Sequence, residues 1–346
     1  MDLMPIKTMV DGLPLAAMVV DQSRRLICLN ALAEEIWGTG LSGRHYEVAL
    51  RNPVLTGAIA ECFRDQKTFQ TRISTTIGTR ETTFSLKVAL IQGESFSGVL
   101  ATFVDVSPME DVGQMRRDFV ANVSHELRTP LTALLGFIET LRGPAKDDER
   151  ARDRFLGIME TEASRMNRLV HDLLSLSRVE SEERIRPGDQ LDVYGKLQTV
   201  VKALGPIAED NGIRVNLIAS EEEVMVNGDA DQLYQVFTNL IENAIKYGGS
   251  GGDVTVTLSV VDRDPAVRGP AVRIEVKDQG QGIDPIHIPR LTERFYRVDS
   301  HRSRAMGGTG LGLAIVKHII NRHRGRMQIA SALGEGSTFT VTLPRL

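Results

Sequence analysis

Cysteine is nearly absent from this chain: 346 residues include only Cys28 and Cys62. They lack metal-ligand spacing, two cysteines are too few for a disulfide framework, and a reducing compartment fits. No apolar run approaches the ~18 residues that a membrane-spanning helix needs. The longest, such as Leu13 to Val20, have the length of a core strand. No basic stretch followed by an apolar one opens the sequence, so no signal peptide is read and a cytoplasmic location is expected, with membrane association left to any anchor preceding this chain. A large charge of one sign is also missing. The net charge of -4 implies neither a nucleic-acid partner nor an anionic membrane. What remains is ordinary globular composition, 42% hydrophobic and 25% charged, at a length that suggests two or three domains.

The first domain is expected over residues 8–106. Ala17 to Asn30 reads as strand, polar turn, strand, and a helical run follows from Ala31 to Trp37. Thr68–Thr76, Glu81–Ile91 and Gly98–Val106 alternate apolar and polar residues, as half-buried strands do. A strand pair, short helices and a three-strand meander resemble a PAS domain, an α/β sensor fold. His45, Cys28 and Trp37 are conceivable pocket ligands, but they form no ligand-like cluster and read as core or surface residues.

From Asp111 the period becomes helical. Val112, Met115, Phe119, Val123, Leu127, Leu131, Leu134, Ile138 and Leu141 form a single seam on a helix of about 30 residues. Gly143-Pro144 ends it, and the charged run Lys146 to Arg154 reads as the solvated tip of a helical hairpin. A second seam runs from Phe155 to Leu176. Two such stripes are expected to pair with a second copy, giving a four-helix bundle in a homodimer. This dimerisation domain is expected over 107–180. A polar hinge, Glu180 to Asp189, leads to a domain at 190–346 whose helices and strands make an α+β sandwich.

His125 lies on the first long helix, followed by Glu126, with Thr129 one turn on. A neutral imidazole is a fair nucleophile toward phosphorus near pH 7. Glu126 can hold the other ring N–H and take the proton, Thr129 can position a water for the reverse reaction, and Arg128 can screen phosphate charge. Pro130 removes a backbone donor and should kink or loosen this turn. Ala133, Phe137 and Thr140 offer a docking face below the histidine. A His-Glu pair on a helix is usually just surface, but Ser-His-Glu-Leu-Arg-Thr-Pro-Leu crowds polar residues and a proline where core logic would not.

Downstream, Asn239, Asn243 and Lys246 share one side of a helix, with Tyr247 beside them. Amide oxygens together with phosphates suit Mg²⁺, and Asn243 is the expected metal ligand. The Asp278-Gln-Gly280-Gln-Gly282 turn follows a strand; its glycines permit close approach to a flat base, and its carboxylate can accept an adenine amine. Gly307-Gly308-Thr-Gly310-Leu-Gly312 opens a helix able to cradle phosphate. It is neither a dinucleotide fingerprint nor a P-loop. Between them, Pro285 to Met306 reads as a lid carrying Phe295-Tyr296-Arg297. Gly334-Glu-Gly336 reads as a hairpin turn.

In this order the motifs resemble the H, N, first glycine, F and second glycine boxes of sensor histidine kinases, over about 110–346. The lid and the PAS-like unit look most like the phosphate-regulon sensor kinases. The resemblance implies a catalytic domain of the gyrase/histidine-kinase ATPase type binding ATP and Mg²⁺ through Asn239, Asn243, Lys246, Tyr247, Asp278, Gly280, Gly282, Gly308, Gly310 and Gly312. It implies phosphoryl transfer to His125, assisted by Glu126, then to an aspartate of a response regulator, PhoB-like in this case, with phosphatase activity toward that regulator served by Thr129. An ATP-driven conformational clamp would need no His-Glu pair. A phosphatase-biased scaffold would lack an ATP residue.

Overall fold

The structure is a computed structural model that describes residues 4–93, 96–220, 223–249, 252–299 and 308–346. The lid residues 300–306, Gly307 and the side chain of Val112 lie outside the described residues. The chain forms two compact units, Met1–Ala121 and Asn122–Leu346.

The first unit is built on β1 (Ala16–Asp21), β2 (Leu26–Leu29), β3 (Phe69–Ile77), β4 (Arg80–Gln92) and β5 (Ser97–Asp105). They form one antiparallel sheet in the order β2-β1-β5-β4-β3. Helices α1 (Met4–Asp11), α2 (Ala31–Trp37), α3 (Tyr46–Ala49) and α4 (Pro53–Asp65) accompany it. One core joins Met18, Leu26, Tyr46, Leu55, Ile59, Leu86 and Phe103. Asn30, 2% exposed, explains why a strand here ends on asparagine. Its Oδ1 accepts from Ala17 N and Ala33 N, both at 3.0 Å, and its Nδ2 donates to the Val10 and Leu15 carbonyls at 3.2 and 2.7 Å. One buried amide thereby ties together α1, β1 and α2 with its polar atoms satisfied. Trp37 packs on Phe103 with ring centroids 5.6 Å apart, and burial pushes the Cys28 thiol up to about 11, so it is inert packing.

Helix α5 (Ser107–Arg142) is longer than its seam suggested and continues through Pro130. The proline cannot donate to the Glu126 carbonyl. Around it, Thr129 and Thr132 turn their hydroxyls onto the carbonyls of His125 and Arg128, at 3.2 and 2.9 Å. Helix α6 is Glu149–Glu182. The expected charged tip is therefore shorter than read, because Asp148 caps α6 through Ala151 N at 3.0 Å and the rest of the run is helical. The single seam is also corrected. Leu127, Leu134 and Leu141 are half-buried, whereas Leu131, Leu135 and Ile138 remain 48%, 54% and 38% exposed, so α5 is apolar on two sides. Phe137, expected on a docking face, instead stacks on Phe155 of α6 at 5.3 Å.

The rest of this unit holds β7 (Arg214–Ala219), β9 (Asp253–Asp264), β10 (Gly269–Lys277), β11 (Arg326–Ala332) and β12 (Gly336–Pro344) in the order β11-β12-β10-β9-β7. Among the described residues of this sheet, only the β7–β9 pair is parallel. Short strands β6 (Gln190–Asp192) and β8 (Met225–Asn227) pair separately. Helices α7 (Val193–Asp210), α8 (Ala230–Tyr247) and α9 (Gly312–Arg322) complete the layer. Leu233, Phe237, Leu240, Ile241 and Ala244 bury one stripe of α8, leaving Asn239, Asn243 and Lys246 on another. Among the described residues no helix is long and apolar enough to cross a membrane.

Candidate functional site

A cavity of about 260 Å³ opens where α8, the turn after β10 and the start of α9 converge. Asn239, Asn243, Lys246, Tyr247, Asp278, Gly282, Gly308, Gly310 and Gly312 all line it, together with Tyr296 and Arg297. Residues scattered over more than seventy positions thus meet around one space. Gly280 stands behind the wall, where a side chain would run into the Tyr247 carbonyl.

Asp278 is 3% exposed. Its Oδ1 accepts from Gly280 N at 2.9 Å and Ser337 N at 3.2 Å. Its other oxygen has no partner among the described residues, although the residue faces the cavity. Burial raises this carboxyl above the usual aspartate range, with the two amide bonds opposing the shift. A fixed, desolvated acceptor on a cavity wall suits the exocyclic amine of a purine. Two glycines keep it in place. Gly282 has φ +70° and a side chain there would overlap the Ala332 carbonyl; one at Gly336, φ +83°, would overlap the carbonyl of Asp278 itself. Gly336 was read as a hairpin turn only; its packing role depends on the β10–β12 register, which no local motif reveals.

The other end of the cavity is charged. Lys246 pairs with Glu242 at 2.7 Å, and Asn239 Nδ2 donates to the Gly312 carbonyl at 3.3 Å. Phe295, with φ +64°, donates its N–H to the Gly310 carbonyl at 2.8 Å, joining the expected lid to the glycine turn. Tyr296 is held by a 2.6 Å bond between its hydroxyl and His287 Nδ1 and by Arg290 stacked 4.2 Å from its ring. Among the described residues no cluster of three His, Cys, Asp or Glu side chains can hold a metal ion. The donor set around Asn243, one amide with room for phosphate and water oxygens, fits the light demands of Mg²⁺.

His125 is exposed on α5, and its ring has no partner among the described residues. It does not line the cavity, and neither does Thr129, whose hydroxyl is turned onto the backbone. The link is made next door. Glu126 Oε2 accepts from Arg165 of α6 at 3.1 Å and from Arg297 of the cavity wall at 3.2 Å. Helix α6 also contributes Arg168 and Asp172 to the wall, and Asp172 accepts from the Thr309 hydroxyl at 2.6 Å. Sequence reading missed both, since a polar residue beside a helical seam looks like any solvated position.

The segment expected as a hinge is partly fastened. Glu180 and Glu182 are still helical, and Glu180, Glu182 and Glu183 are bound by Arg294 at 2.5 Å, Arg322 at 3.1 Å and His318 at 2.8 Å.

Comparison with known proteins gives this geometry its context. Residues 115–182 match the His Kinase A (phospho-acceptor) domain, and residues 228–346 match the histidine kinase-, DNA gyrase B-, and HSP90-like ATPase. The phosphate regulon sensor protein PhoR of Pseudomonas aeruginosa is 42% identical over 68% of this chain and 52% of its own length. The chain belongs to the sensor histidine kinases. The sensor histidine kinase WalK of Bacillus subtilis is 37% identical over 76% of this chain and 42% of its own length. The chain thus spans about half the length of these relatives. The histidine kinase ThkA, solved in complex with the response regulator protein TrrA, shares the fold over 98% of both chains at a TM-score of 0.54 and 20% identity. In this sensor histidine kinase chain, His125, Glu126, Thr129 and Arg165 fall in the phosphoacceptor match together with the cavity residues Arg168 and Asp172, and the other cavity residues named above fall in the ATPase match.

Proposed function

We propose that this chain autophosphorylates His125 from Mg-ATP and passes the phosphoryl group to an aspartate of a response regulator. The observation that carries the reading is the bridge from the cavity wall, through Arg297, to Glu126 beside the exposed His125. Asp278 holds the adenine amine. Lys246, Tyr247, Gly308, Gly310 and Gly312 hold phosphates, with Asn239 and Asn243 on the metal side. Bound Mg²⁺ supplies neutralising charge on the phosphates. A neutral His125 nitrogen bonds to the γ-phosphorus while the bond to the β-phosphate oxygen breaks, and Glu126 takes the ring proton. Positioning and charge carry most of the rate. Thr129 serves a phosphatase reaction on the regulator by orienting water, once its hydroxyl leaves the backbone.

The domains follow this division of labour: a PAS sensor at 8–106, a dimerising phosphoacceptor at 107–180 and the catalytic domain at 190–346. The β2-β1-β5-β4-β3 order and the Asn30 knot favour the PAS reading. Two copies pair through the exposed apolar side of α5 and α6. Likeness to PhoR favours a phosphate-limitation circuit with a PhoB-like partner.

The reading is tested by labelling the chain with γ-labelled ATP and presenting a panel of receiver domains. Label is expected to leave the kinase for one receiver within minutes and to be lost when that receiver's phosphoacceptor aspartate becomes alanine. Label that no receiver ever removes would overturn the transfer step.

A further inference from the structure

Two contacts fasten the helical hairpin to the cavity wall, and both use groups that a bound nucleotide would claim. Arg297 is 7% exposed and directs Nη2 to Glu126, while its Nε is buried without a partner among the described residues. Asp172 of α6 reaches the turn of the second glycine box through Thr309. Glu242 on the same wall holds Lys246. A guanidinium and an ammonium at the cavity are thus occupied by carboxylates, and a further carboxylate stands where phosphates are to be held.

We propose that Glu126–Arg297 and Asp172–Thr309 form a latch that Mg-ATP opens. The inference rests on the kinase reading above. Phosphate oxygens carry more charge than one carboxylate oxygen and bind a guanidinium through two parallel bonds, so the nucleotide takes Arg297 from Glu126. The same anion repels Asp172, a repulsion little screened at a site mostly removed from water. Glu126, relieved of one arginine, becomes available to the His125 ring. The proton acceptor is therefore withheld while the cavity is empty and presented once it fills. Burial also raises the Asp172 carboxyl above the usual aspartate range, with the Thr309 bond opposing.

Coupling of this kind is reciprocal, so weakening the latch must tighten nucleotide binding. The test is calorimetric titration of the full chain with Mg-AMPPNP. Asp172→Asn keeps the size and the Thr309 bond but removes the charge, and it should bind about fivefold more tightly than wild type. Glu126→Gln should shift affinity in the same direction, an effect that loss of a proton acceptor alone would not produce. Unchanged or weaker binding by Asp172→Asn overturns the latch. Wild-type chain that binds no Mg-AMPPNP overturns the kinase reading itself. In wild type, amide exchange along residues 165–176 should rise when Mg-AMPPNP is added; a fall there overturns the latch independently of any variant.

Discussion

In the proposed function the single Asp278 carboxylate has two jobs. Its Oδ1 organises the turn through Gly280 and Ser337, and in the proposed function its other oxygen accepts from the base held in the cavity. Asp278→Asn preserves the first job and replaces the second acceptor with a donor. Nucleotide affinity should fall at least about tenfold, roughly the worth of one lost hydrogen bond to a charged group, with little change in melting temperature. Equal losses of both would place Asp278 in the scaffold alone. His323 makes a second residue-scale case. It is 1% exposed; Nδ1–H donates to the Ile319 carbonyl at 2.7 Å and Nε2 accepts from Asp229 N at 2.9 Å, at the cap of α8. That arrangement requires the neutral ring. Burial holds its pKa below the ordinary value, so the unfolded chain takes up a proton that the folded one refuses. His323 therefore stabilises the fold above about pH 6.5, and that contribution is lost as pH falls toward the lowered folded value. Urea midpoints measured from pH 8 to pH 5 should decline through this window, and the decline should be shallower in His323→Gln.

At the scale of elements, α5 and α6 carry more apolar surface than the hairpin hides. Leu131, Leu135, Val170 and Leu174 remain 48%, 54%, 43% and 67% exposed. Burying such a side chain is worth about 1.5–3 kcal/mol, and a second copy offers the matching stripe. Leu135→Glu should shift the chain from dimer to monomer in sedimentation, leaving nucleotide binding within about twofold; a variant that still sediments as a dimer would move the interface elsewhere. The two-sided character of α5 was not legible in the sequence, where a period of three to four residues cannot distinguish the hairpin face from the opposite one. Strands were easier. The alternation over 68–76 and 81–91 marks β3 and β4 to within a residue, because a pleated, half-buried surface writes its period directly into the chain. The charged tip was misjudged for a local reason: Asp148 caps a helix, and the charges beyond it are a solvated helical face.

Over the whole molecule, the cavity residues that could be read in advance were those whose chemistry shows in a short motif: Asn239, Asn243, Lys246, Tyr247, Asp278, Gly282, Gly308, Gly310 and Gly312. Arg168 and Asp172 of the wall, and Arg165 and Gly336 away from it, could not, because their neighbours are fixed only by tertiary packing. Arg297 was visible as part of the lid but not as the group that reaches Glu126. That bridge brings the account together, since it joins the nucleotide wall to the helix that bears the imidazole. The most direct test compares wild type with His125→Gln after incubation with γ-labelled ATP, alongside Mg-AMPPNP titrations of both. Acid-labile label is expected on wild type and none on His125→Gln, with matching nucleotide affinities. Label of equal intensity on the variant would contradict transfer to His125.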